Sequence, residues 1–81
     1  MKEKTIFRES YKALIKELIK AREDQHLTQK DLAQKLNWRQ SDISKIEHRV
    51  RRIDVLEFVE ICSALELDYK KLVDDIIDQT D

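Results

Sequence analysis

An all-α fold is what this 81-residue chain predicts, and three observations predict it. It contains no Gly and no Pro, the residues that open left-handed turns most easily and break helices. Charged residues, many of them strong helix formers, make up 41% of the chain, which favours helices joined by short junctions over strands and long loops. Apolar residues recur at steps of three and four between good capping residues. The expectation is one compact five-helix domain over residues 1–81.

The first helix covers roughly 6–25. Phe7, Tyr11, Leu14, Leu18 and Ala21 form its stripe, widened by Ile15, Ile19 and Arg22. The second runs about 29–36. Thr28 is a good N-cap, Asp31 stands where a capping-box acid belongs, and Asn37 suits a left-handed exit. Only Asn37 and Trp38 separate this pattern from the third helix, about 40–48. That helix turns Ile43, Ile46 and Glu47 inward and leaves Gln40, Ser41, Ser44, Lys45 and His48 outside.

The fourth helix begins at Asp54, with Glu57 completing a capping box three residues on. Val55, Phe58, Val59, Ile61, Cys62 and Leu65 form its apolar stripe. The fifth follows Asp68 and places Tyr69, Leu72, Val73, Ile76 and Ile77 on one face. The connection between the third and fourth, residues 49–53, is basic and expected to be exposed apart from Val50 and Ile53.

Several classes of function find no support. Cys62 is the single cysteine, so no internal disulfide is expected, and its place on an apolar stripe reads as burial. His26 and His48 lie far apart without other ligand types nearby, so neither a metal nor another cofactor is expected. No apolar run approaches the ~20 residues of a membrane span. Met1 opens a charged segment, and a cytoplasmic location follows as the expectation. No nucleophile, base and orienting group stand in a recognisable set, and no site for a small-molecule effector is evident, so the chain is not expected to be an enzyme.

The net charge of −1 conceals a division. Residues 39–53 carry five bases against two acids, for +3, whereas residues 54–81 carry nine acids against two bases, for −7. One face is therefore suited to an anionic partner.

"LTQKDLAQKLNWRQSDISKIEH", residues 27–48, followed by "RRIDVLEFVEICSALELD", resembles the Cro/phage-repressor-like (Xre-type) helix-turn-helix domains. The resemblance spans about residues 22–67, with the helix-turn-helix itself at 28–48. It rests on Thr28-Gln29 opening the second helix, Leu32-Ala33, Ile43-Ser44, Ile46-Glu47 and the closing Ala64-Leu65. It implies a lambda-repressor-like fold whose third helix enters the DNA major groove, a groove about 12 Å wide that admits one helix. The chain departs from the family pattern at the turn Gly, here Asn37, and at the Ser or Thr that caps the third helix, here Arg39. The Gly and Pro common after that helix are Arg49 and Ile53.

The resemblance assigns roles. Gln40 and Ser41 fall at base-reading positions, with Lys45 one turn further. Gln can pair with adenine through two bonds, Lys donates to guanine, and Ser contacts either. Gln29, Arg39, Ser44, Arg49, Arg51 and Arg52 are the expected phosphate ligands, Gln29 because a helix N-terminus favours an anion. The resemblance also implies an ion pair between Glu47, an acid on an inward face, and Arg22 at the end of the first helix. Trp38 is expected to cap the core.

The reading is a sequence-specific regulator of transcription that binds double-stranded DNA, with a palindromic operator and a homodimer expected. One recognition helix reads too few base pairs to find a site in a genome. The fifth helix, at Ile76 and Ile77, is the expected pairing surface, and Ile6 and Phe7 are the alternative. An antitoxin or restriction–modification controller built on the same domain remains open, as does a protein–protein adaptor that has lost DNA binding.

Overall fold

The computed structural model describes residues 2–79, with side chains described for residues 8–78. Among them lie five α-helices and no strand: α1 (Lys2–Asp24), α2 (Gln29–Leu36), α3 (Gln40–Glu47), α4 (Val55–Ala64) and α5 (Tyr69–Gln79). The first helix starts four residues before the expected position, since nothing in residues 2–5 breaks a helix. The third ends one residue early, with His48 as its C-cap.

The starts of α2 and α4 follow from local chemistry. The Asp31 amide donates to Thr28 Oγ1 at 3.0 Å, and the Thr28 amide donates to Asp31 Oδ2 at 2.9 Å. Asp54 and Glu57 repeat the exchange at 2.7 and 3.1 Å. Each exchange satisfies amides that a helix N-terminus leaves without partners. Arg39 has no acceptor to offer α3, so only the returning half forms there, the Arg39 amide donating to Asp42 Oδ2 at 3.2 Å.

Every junction between helices turns through a left-handed residue that is not Gly: His26 (φ 59°), Asn37 (58°), Arg49 (60°) and Glu66 (57°). At each, the next amide reaches back to the preceding helix. Leu27 donates to the Arg22 carbonyl at 3.1 Å, Trp38 to Ala33 at 2.9 Å, Val50 to Lys45 at 2.9 Å and Leu67 to Cys62 at 2.8 Å. This closure puts an apolar residue just past each helix, where it ordinarily folds onto the last turn. Leu27, Trp38 and Leu67 do so and pack against the core. Val50 does not.

The core joins Ile15 and Leu18 of α1, Leu32 and Ala33 of α2, Ile43 and Ile46 of α3, and Phe58, Ile61 and Cys62 of α4, with Leu65 just beyond it. Gln25 Nε2 donates to the Leu65 carbonyl at 2.8 Å and ties the ends of α1 and α4 together. Burial pushes the Cys62 thiol up to about 11.

Three expectations about burial need correcting. Val50 is 77% exposed rather than covered, although the same left-handed turn at the other three junctions is followed by an apolar residue packed on the core. Val55 is 76% exposed, because it is the first residue of α4 and stands ahead of the turns that carry Phe58, Ile61 and Cys62 into the core. Ile76 is 4% exposed, packed at the junction of α1 and α5, and so is not available as a pairing surface. On α5 it is Tyr69, Val73 and Ile77 that remain partly exposed. The alternative surface at Ile6 and Phe7 lies outside the described side chains.

Candidate nucleic-acid interface

α3 is an eight-residue helix held from behind. Ile43 and Ile46, 1% and 3% exposed, anchor it in the core. Residues at 100° intervals then place Gln40, Ser41, Ser44 and Lys45 on the opposite arc. Gln40, Ser41 and Lys45 are exposed and Ser44 is half-buried. His48 closes the row, its Nδ1 2.8 Å from the Ser44 carbonyl, which requires that nitrogen to carry the proton.

The brace behind this face is electrostatic as well as apolar. Arg22 Nε donates to Glu47 Oε2 at 2.7 Å and Arg22 Nη2 to Glu47 Oε1 at 3.0 Å, while Gln29 Nε2 donates to the same Oε1 at 2.9 Å. The remaining guanidinium nitrogen, Nη1, donates to the Leu27 carbonyl at 2.6 Å. One carboxylate thus joins the end of α1, the start of α2 and the end of α3. Donation to the Glu47 carboxylate holds the Arg22 guanidinium above its ordinary range, against the opposing effect of burial.

The sequence gives no sign of the Gln29 bond. Gln29 reads as a phosphate ligand, yet its side chain is engaged by Glu47, which leaves its place at the N-terminus of α2 as the feature that suits an anion. The available signal is stoichiometric: an inward carboxylate can accept more hydrogen bonds than one arginine supplies.

The arginines around α3 differ in their surroundings. Arg39 and Arg49 are exposed at its two ends. Arg51 is half-buried and bonds Glu57, which raises its pKa, and it also reaches the Arg52 carbonyl at 3.3 Å. The Arg52 guanidinium lies 5.2 Å from the centre of the Tyr11 ring. Sequence reasoning missed both contacts, which depend on the path of residues 49–53. Among the described residues, no group of His, Cys, Asp and Glu could hold a metal ion. No helix there is long and apolar enough to cross a membrane.

The helix-turn-helix family model matches residues 18–72. A solved structure described as an XRE-family like protein from Pseudomonas syringae pv. tomato str. DC3000 is 38% identical, covers 98% of this chain and 96% of its own, and superposes with a TM-score of 0.90. No curated protein matches the chain. A family model spanning most of the sequence, and a relative alike over nearly its whole length, agree with the α2–α3 geometry. The chain belongs to the XRE-type helix-turn-helix family.

Proposed function

We propose that the protein is a regulator of transcription that binds double-stranded DNA and reads sequence in the major groove with α3. The observation that carries this is the outward row of Gln40, Ser41, Ser44 and Lys45 on a helix locked through Ile43, Ile46 and Glu47. Polar side chains that read base edges need a support that does not move, and the three-way contact at Glu47 supplies it. Gln40, Ser41 and Lys45 contact bases. Arg39, Ser44, Arg49, Arg51 and Arg52, together with the N-terminus of α2 at Gln29, contact phosphates. Two copies bind a palindromic operator, one recognition helix to each half-site.

Selection from random duplexes, followed by titration of the selected site at several salt concentrations, tests the reading. Four phosphates neutralised by arginine in each copy make eight for a pair, and at about 0.9 each the slope of log K against log[salt] is near −7. A flat response, or no enrichment from any random pool, overturns it.

A further inference from the structure

Tyr11 stands ahead of residue 18, where the family model begins to match, so α1 carries it on turns that the helix-turn-helix itself does not define. Two features set it apart. Its hydroxyl is buried and has no hydrogen-bond partner among the described residues. Its ring is half-buried, and the guanidinium of exposed Arg52 lies over it, 5.2 Å from the centre. A buried hydroxyl without a partner weakens a fold. What this position uses is the ring.

We infer that Tyr11 is a positioning residue for DNA binding: its ring is the platform that holds Arg52 ready for a backbone phosphate. The inference deepens the DNA-binding reading above and rests on it. Chemistry is the first argument. An aromatic face attracts the guanidinium charge as a whole and takes no N–H donor in the way a carboxylate does. Arg52 accordingly makes no hydrogen bond from its guanidinium to any described residue, and its planar set of donors remains for a phosphate. An acid at position 11 would fix the same arginine by consuming the donors that DNA needs.

The neighbouring arginine supplies the second argument. Residues 49–53 start from the last turn of α3, where the Val50 and Arg51 amides both donate to the Lys45 carbonyl, at 2.9 and 3.2 Å. The Arg51 side chain bonds the Glu57 carboxylate in the first turn of α4, and it also donates to the Arg52 carbonyl at 3.3 Å. Arg52 is thus held twice, its carbonyl from α4 through Arg51 and its guanidinium from α1 through Tyr11. A restrained cation stands just past the recognition helix.

Ordering is the third argument. A long exposed arginine samples many rotamers, and fixing it on a phosphate costs that freedom at the moment of binding. A cation held over a ring has given up much of it already, as part of folding. A stack that served only to fasten α1 to residues 49–53 would leave DNA affinity indifferent to the ring.

The test uses the full chain, a duplex carrying the selected half-site and a double-mutant cycle between the two residues. Tyr11→Leu removes the ring but keeps an apolar side chain. It binds about 2- to 5-fold more weakly, the change that a cation over a ring at an exposed site can make. The loss is the same on every duplex sequence, because a phosphate and not a base is contacted. Tyr11→Phe, which keeps the ring and drops the hydroxyl, binds like wild type and melts no lower. In an Arg52→Ala background, Tyr11→Leu weakens binding no further. Tyr11→Met, equally ringless and more adaptable in shape, serves the cycle if Tyr11→Leu does not fold. In free wild-type protein the ring current moves the methylene proton resonances of Arg52 upfield, and Tyr11→Phe keeps them there. Ringless variants that bind like wild type, a loss that persists without Arg52, or Arg52 resonances at ordinary arginine positions overturn the platform while leaving DNA binding in place. Wild-type protein that binds no duplex overturns the DNA-binding reading and this inference with it.

Discussion

Arg22 and Glu47, 25 residues apart in the chain, meet through two hydrogen bonds of 2.7 and 3.0 Å with both side chains only 10% exposed. The pair closes α1 onto the recognition helix. Removing one partner from such a site leaves a charge that water cannot reach, and the cost comes from that stranded charge more than from the lost attraction.

Glu47→Ala should accordingly destabilise the fold by about 3–5 kcal/mol, because Arg22 keeps its charge and loses two acceptor contacts. Urea unfolding of the two proteins reads the difference directly. An unchanged midpoint would show that Glu47 is solvated.

Gln40→Ala and Arg49→Ala should fail in different ways. Losing a two-bond base contact costs ~1–3 kcal/mol and relaxes preference at one base pair, whereas losing a phosphate contact weakens all sequences alike. Selection profiles from the two variants make the comparison. A Gln40→Ala profile identical to wild type would remove that residue from base reading.

Asp31 should report on the start of α2 in acid. Hydrogen bonds from the Thr28 amide, first, and the Thr28 hydroxyl hold its carboxyl below the usual range. A depressed folded-state pKa adds stability above the unfolded value of about 3.9, and that stability is lost as pH falls through the folded value. Unfolding midpoints of wild type and Asp31→Asn should therefore converge below about pH 4 and separate above it. Curves that run parallel through acid would contradict the capping role.

Glu66→Gly should stabilise the protein. Glu66 holds φ 57° on the surface, a conformation that costs a residue with a side chain about 1–2 kcal/mol. The freer unfolded chain returns roughly 0.5–1 kcal/mol of that, so a net gain of up to about 1.5 kcal/mol is expected. A lower melting temperature for the glycine variant would show that the Glu66 side chain stabilises the turn.

What could be read from the sequence was what is local. Thr28 with Asp31, and Asp54 with Glu57, announce helix starts because both partners lie within one turn. Ile43 and Ile46 reveal the outward arc of α3 because helical spacing leaves one choice. The exposed and buried edges of a broad stripe were not legible: Ile76 and Ile77 differ only in how α5 rolls against α1, and periodicity does not encode that roll. Val50 misled for a related reason. An apolar residue just past a helix reads as buried, but its direction depends on the route from α3 to α4. The Arg52–Tyr11 and Gln29–Glu47 contacts join residues far apart in sequence, and neither has a local signature.

The four glycine-free corners have a thermal consequence. Side chains at His26, Asn37, Arg49 and Glu66 strain the folded backbone, and they also restrict the backbone of the unfolded chain. Strain of this kind is enthalpic, while the restriction is entropic and grows in weight with temperature. The corners therefore weaken the fold most in the cold and least near melting. The benefit of Glu66→Gly should shrink on heating, so urea curves at low temperature should separate the variant from wild type more widely than a thermal scan does.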